Sequence, residues 1–335
     1  MSEMRNLIES VPEQIGAMVS VLKNADSTNH KNLAKGFTPS GVLILGMGGS
    51  GIGGSIMASI LENSCTTPVM SVSNYTVPAW VNSSTLVVAC SYSGNTEETI
   101  ASISEASDKG AKISCISSGG KLSELAKSHN WPIVTLKGGH PPRSQFVSSF
   151  TCLAWTLLQF DIISHEMYSE LAGTNVSIED SKERISVKAE ALADLLEGKE
   201  VFIYSGVMMS SVATRWRQQL NENSKLLVNT HVFPEMNHNE LVGWTYSEGL
   251  RVVLVLRTPE DHKRTQIRME LSAEIFQESG SDVIFIEPEG DNKMQRLMDL
   301  VYLGDYLSLI MAERAGIDPV EIHNITRLKD ALDKV

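Results

Sequence analysis

Apolar positions along the first part of the chain recur at helical spacing. Leu7, Ile8, Val11, Ile15, Met18, Val19 and Leu22 form one stripe through an opening segment that runs to about Lys35. Beyond it the pattern shifts to short apolar runs. Val42–Leu45, Val69–Val72, Leu86–Cys90, Ile113–Ile116 and Ile133–Thr135 lack the polar alternation of a half-buried strand. They read as strands of a parallel sheet covered on both faces. Gly/Ser-rich turns and helix-like stretches separate them, the signature of successive βαβ units. A helix-like block from about Ser148 to Leu171 follows, and then Ala172–Glu183 (AGTNVSIEDSKE), small and polar, which by composition reads as a linker.

The alternation then resumes. VFIYSG (Val201–Gly206), RVVLVL (Arg251–Leu256) and DVIFIE (Asp282–Glu287) parallel VLILGMG, TLVVACSYS and AKISCISS, in the same order of strand, turn and helix. Identity between the halves is low, so the repeat is one of pattern. The expected fold is α/β, with two doubly wound parallel-sheet domains of similar topology and helical segments at both ends. Residues 1–171 would hold the N-terminal helix and first domain, and 184–335 the second domain and C-terminal helix. A chain of 335 residues is long enough for two such cores.

The candidate chemistry begins at VLILGMGGSGIGGS, Val42 to Ser55. Gly46, Gly48 and Gly51 match G-x-G-x-x-G after a strand, which suggests a dinucleotide. That reading needs an acidic residue about 20 positions on, for the ribose hydroxyl. The second strand instead ends in Asn74-Tyr75, and no Asp or Glu lies between Glu62 and Glu97. NAD is therefore disfavoured. The third strand runs into CSYSGNTEETI (Cys90–Ile100), where Ser91, Ser93 and Thr96 put three hydroxyls around one turn that Gly94 lets fold tightly. Asn95 or Thr96 could cap the helix that follows, whose first residues Glu97 and Glu98 favour its dipole and leave no room for a second large anion. The loop is sized for one phosphoryl group, with Gly49 and Ser50 from the glycine loop completing the cradle at the carboxyl edge of the sheet.

Composition narrows the alternatives. A net charge of −12 without a basic patch argues against nucleic acid. Cys65, Cys90, Cys115 and Cys152 are widely spaced, with no C-x-x-C pair or Cys/His cluster to bind a metal. The start, MSEMRNLIESVPEQI, has no cleavable apolar core, and no run approaches ~18 apolar residues. The expectation is a reduced, soluble, cytoplasmic protein with no membrane contact.

GMGGSG followed by SYSGNTEET resembles the sugar isomerase (SIS) domain. HPPRSQF (His140–Phe146), QLNENSK (Gln219–Lys225), PEMNHNELVGW (Pro234–Trp244) and LKDAL (Leu328–Leu332) extend the likeness, and nearly the whole chain resembles the bifunctional phosphoglucose/phosphomannose isomerases. The resemblance implies an aldose–ketose isomerase that interconverts glucose 6-phosphate, and mannose 6-phosphate, with fructose 6-phosphate through a cis-enediol(ate), with no cofactor and no metal. It places the proton-shuttling base at Glu222 and the enediolate-stabilising cation at Arg143. It assigns ring opening to His238, whose imidazole suits proton transfer near neutrality, and to Lys329. In the family that histidine comes from the partner subunit, so a homodimer is expected. His231, in a valine-flanked run, reads as structural, and His140, His165, His262 and His323 are dispersed in unrelated contexts. A phosphosugar-binding SIS regulator without catalysis is the alternative, since it needs the hydroxyl cradle alone. The polar stretch MMSSVATRW has no evident role at this level.

Overall fold

In the computed structural model, which describes residues 2–246, 250–332 and 334, the opening segment folds as three helices, of which the first two share the apolar stripe. These are α1 (Glu3–Glu9), α2 (Val11–Lys23) and α3 (Thr28–Ala34). The first sheet follows as β1 (Gly41–Leu45), β2 (Val69–Val72), β3 (Thr85–Cys90), β4 (Lys112–Ser117) and β5 (Ile133–Thr135). Its helices are α4 (Gly48–Leu61) after β1, α5 (Glu97–Asp108) after β3, α6 (Gly120–Ser128) after β4 and α7 (Phe146–Gln159) after β5. The long α8 (His165–Leu196) leads to β6 (Glu200–Gly206), α9 (Ser210–Ser224), β7 (Val228–Phe233), β8 (Arg251–Leu256), α10 (Lys263–Glu278) and β9 (Asp282–Ile286). Helices α11 (Lys293–Arg314) and α12 (His323–Leu332) close the chain.

Both sheets are wholly parallel. Their orders are β2-β1-β3-β4-β5 and β7-β6-β8-β9, so the second repeats the first strand for strand as far as it extends. In each, the order reverses beside the first strand, and ligands of open α/β sheets gather at the carboxyl end of that reversal. Every residue of β1 and β3 is buried, as the unbroken apolar runs require. Leu43, Leu45, Val87 and Ala89 meet Ile100, Ile103 and Ala106 of α5 and Leu122 and Ala126 of α6 on one face. α4 and α7 cover the other. The second sheet has an aromatic core, in which Tyr204, Phe233, Trp244 and Phe276 pack around Val253 and Val255.

One sequence expectation is corrected, and one strand lies outside the expected set. Composition predicts a linker over 172–183, but the backbone there is helical, inside the 32-residue α8. Leu171, Ile178, Ile185 and Leu192 recur at a seven-residue interval and are all buried; their spacing, not the polar residues between them, decides the structure. Strand β7 also escapes the apolar-run reading. It is an edge strand in which Asn229 is exposed and Thr230 and His231 are half-buried, so its sequence is mixed.

The chain divides into two compact units. One comprises Ser10–Asp180 with Glu289–Met298, the other Met1–Glu9, Ser181–Pro288 and Asp299–Val335. Gly49, Ser50, Ser91, Ser93, Thr96 and Arg143 belong to the first, and Glu222, His238 and Lys329 to the second.

Candidate active site

Adjacent strands β1 and β3, paired from Gly41↔Thr85 to Leu45↔Ala89, bring the glycine loop and the serine-rich loop side by side. The two are joined where the Tyr92 amide donates to Ser50 Oγ at 3.1 Å. Ser91 Oγ lies 2.9 Å from Thr96 Oγ1 and accepts the Gly94 amide at 3.1 Å, while Ser93 Oγ accepts the Asn95 amide at 3.2 Å. Gly94 sits at φ +72°, and a Cβ there would fall 1.8 Å from the Gly119 carbonyl oxygen; the tight turn requires glycine. Ser50 and Ser91 are buried, and Ser93 is exposed.

Neither α4 nor α5 is capped by a side chain at its N-terminus. Thr96 stands at the N-cap of α5, yet its hydroxyl turns to Ser91 instead of the helix amides. Asn95 caps a different helix, its Oδ1 accepting the Lys121 amide of α6 at 3.0 Å. Two helix ends thus present first-turn amides beside a cluster of hydroxyls, an arrangement suited to one small anion. Where a dinucleotide site would carry an acidic residue, Ser73 donates its hydroxyl to the Gly46 carbonyl at 2.6 Å.

Gly49 lets the start of α4 approach the turn Pro142–Gln145, since a Cβ on it would meet the Arg143 Cα at 3.0 Å and its backbone nitrogen at 3.1 Å. That close contact places the buried Arg143 next to the cradle. The approach to this turn is fixed by a residue the sequence reading passed over. Tyr92 donates its hydroxyl to the Lys137 carbonyl at 2.8 Å and accepts the His140 amide at 3.3 Å. Its only sequence signal was an aromatic ring inside a hydroxyl-rich turn. Burial pushes the Tyr92 phenol up, against the opposing pull of the His140 bond, which keeps it a neutral donor.

In the second unit, Glu222 lies in the last turn of α9. It borders a cavity of about 640 Å³ lined also by Gln218, Asn221, Lys225, Ile322 and Ile325. The polar MMSSVATRW stretch finds its explanation here, because it supplies the start and the buried face of α9. Arg215 pairs with Asp305 of α11 at 2.6 Å, Gln219 donates to the same carboxylate at 3.0 Å, and Trp216 Nε1 donates to the Leu300 carbonyl at 2.8 Å. Asn223 continues the ladder to Ser308 at 2.9 Å. Arg215, Gln219 and Asn223, four apart, and Trp216 beside them fix one face of α9 and so aim the face that carries Glu222.

His238 ends a short turn (Glu235–His238) after β7 and is exposed. Its loop is anchored from behind: Asn237 donates to Ser272 Oγ at 2.8 Å, and Tyr204 donates to Glu240, whose carboxylate lies 3.9 Å from His231 Nε2. Lys329 lies on α12, a helix with no buried residue, and does not line the Glu222 cavity.

The corresponding edge of the second sheet is closed by the chain itself. The loop after β8 has the same six-residue length as Ser91–Thr96 but reads RTPEDH, Arg257–His262. The Thr258 amide donates to Asp261 at 2.7 Å, and a Cβ on Gly206 would strike that carboxylate at 1.9 Å. His262 caps α10 by accepting the Arg264 amide at 3.1 Å. The Asp261 carboxyl already fills this edge, so among the described residues the arrangement suited to a small anion is found in the first repeat and not in this one. Among the described residues, no group of three or more His, Cys, Asp or Glu could hold a metal ion, and no helix is long and apolar enough to cross a membrane.

Comparison with known proteins agrees with this architecture. The SIS domain family matches residues 39–154, and the bacterial phospho-glucose isomerase C-terminal SIS domain matches residues 185–332. A bifunctional phosphoglucose/phosphomannose isomerase of Caldicellulosiruptor bescii is 35% identical, over 98% of this chain and 98% of its own. One from Aquifex aeolicus is 36% identical over 91% of this chain and 94% of its own. Among solved structures, the C-terminal domain of glucosamine-fructose-6-phosphate aminotransferase from Francisella tularensis superposes with a TM-score of 0.77 at 15% identity. That match covers 96% of this chain and 98% of the other, and it shows the fold alone. With two SIS-type domains and relatives of this identity along almost its whole length, the chain belongs to the bifunctional phosphoglucose/phosphomannose isomerase family.

Proposed function

We propose that the protein interconverts glucose 6-phosphate and mannose 6-phosphate with fructose 6-phosphate through a cis-enediol(ate) intermediate. The substrate's phosphoryl group is held by the hydroxyls of Ser50, Ser91, Ser93 and Thr96 and by amides of the glycine loop around Gly49. His238 and Lys329 open the ring by exchanging a proton with the ring oxygen. The Glu222 carboxylate then removes the proton from the carbon beside the carbonyl and returns it to the former carbonyl carbon, while the hydroxyl proton passes between O2 and O1, which moves the carbonyl between C1 and C2. The fixed charge of Arg143 stabilises the oxyanion of the enediolate in between. The scheme calls on no cofactor and no metal.

The observation that carries this reading is the open cradle: hydroxyls of Ser50, Ser91 and Thr96 gathered over two helix N-termini that no side chain caps. A homodimer belongs to the same proposal, with His238 of the partner subunit completing each site; its exposure leaves the imidazole available to a second chain. The cytoplasm is the proposed location, where charged hexose phosphates are retained.

Glu222→Gln tests the catalytic part. Turnover of fructose 6-phosphate should fall by about 100-fold or more, while calorimetric titration with the same sugar gives an affinity close to that of the unaltered protein. Full turnover in the variant would remove Glu222 from the mechanism. Binding without turnover in the unaltered protein would point to a regulator instead.

A further inference from the structure

Lys225 stands three residues after Glu222 and ends α9 in the left-handed conformation, φ +57°. Its ammonium donates to three backbone carbonyls: Glu222 at 2.7 Å, Glu321 at 2.7 Å and Asp318 at 3.2 Å. The first belongs to the last turn of α9. The other two belong to the strap that leads from α11 into α12. A single side chain therefore ties the end of the Glu222 helix to the root of the helix that carries Lys329. The tie has consequence because α12 buries none of its residues; its place is set from its root, not by a packed face. The strap and the α9 end also enclose one cavity, since Glu222, Lys225, Glu321, Ile322 and His323 all line it.

We propose that Lys225 is a positioning residue, which holds the strap 318–322 against the end of α9 and so fixes the Glu222 carboxylate and α12 in one geometry. This rests on the assignment of Glu222 as the base and Lys329 as a ring-opening group. In this role Lys225 acts through backbone carbonyls and not on the sugar. Its effect should fall on the catalytic step, because phosphate is bound by residues of the other compact unit.

The left-handed cap makes a clean substitution available. Glycine is the residue most at ease at this position of a helix end, so by backbone preference alone Lys225→Gly is harmless or stabilising. With the ammonium gone, however, the tie predicts a kcat for fructose 6-phosphate at least 10-fold lower, a KM changed by less than 3-fold, and faster backbone hydrogen exchange over 318–325. Lys225→Arg keeps the donors and should recover a large part of kcat and of the exchange protection. Unchanged kcat and unchanged exchange in Lys225→Gly, beside an inactive Glu222→Gln, would overturn the proposal while leaving Glu222 in place. An active Glu222→Gln would instead remove the reading on which it rests, and the exchange experiment would still show whether the strap is tied. Should Lys225→Gly not fold, Lys225→Asn, which also accepts the left-handed backbone, carries the same measurements.

Discussion

His30 shows how one side chain can set a pH limit on the whole protein. It is buried against Trp155, ring centroids 5.0 Å apart and nearly perpendicular, and its Nε2 lies 3.1 Å from Ser114 Oγ. Burial pushes its pKa down to about 4. The unfolded chain takes up a proton near pH 6.5 and the folded chain does so only near 4, so this contribution is intact above 6.5 and lost as pH falls between those values. Between pH 7 and pH 5 the expected loss is about 2 kcal/mol, read as urea stability relative to His30→Gln, in which that part of the pH dependence disappears. Parallel curves for the two proteins would mean that His30 is not buried neutral. At this scale the sequence disclosed the hydroxyls of Ser50, Ser91 and Thr96, because a glycine-bearing turn between a strand and a helix restricts what they can do. It did not disclose Tyr92 or Lys225. Their work is done through the main chain of distant residues, at 137, 140, 318 and 321, and no local spacing records that.

Among the elements, the loop between β3 and α5 is the one whose shape the proposed phosphate cradle depends on. Gly94→Ala would place a methyl group 1.8 Å from the Gly119 carbonyl in a backbone region that alanine avoids. The substitution should cost about 1–3 kcal/mol of stability by chemical denaturation and raise KM for each hexose phosphate more than it lowers kcat, since it displaces the cradle. An unchanged KM would separate this loop from the phosphate. Strands with unbroken apolar runs were legible because a sheet covered on both faces admits little else. β7 was not, since an edge strand tolerates Asn229, Thr230 and His231. α8 was misread because its buried stripe occupies few of its positions, and the many polar ones dominate the composition.

For the whole molecule, the repeat of strand order was visible in the sequence, and the difference between the repeats was not. That difference lies in whether an N-terminal helix edge is closed by Asp261 and His262 or left open between Ser91 and Thr96, which depends on where side chains turn. The homodimer has its own test. If His238 serves the partner's site, inactive Glu222→Gln and His238→Ala proteins, dissociated and reassembled together at equal amounts, should regain about a quarter of normal activity. Half the dimers are then mixed, and each mixed dimer has one complete site. No recovery, with mixed dimers confirmed by mass spectrometry, would place both residues in the same subunit's site.

The central claim is that a carboxylate moves a proton between two adjacent carbons of a phosphosugar, and isomerisation in deuterated water reads that transfer directly. Proton NMR of hexose phosphates recovered from glucose 6-phosphate should show solvent deuterium entering at C1 of fructose 6-phosphate and at C2 of the aldoses, with the incorporation lost in Glu222→Gln. Undiminished turnover and deuterium incorporation in Glu222→Gln would contradict the account, because another group would then be moving the proton.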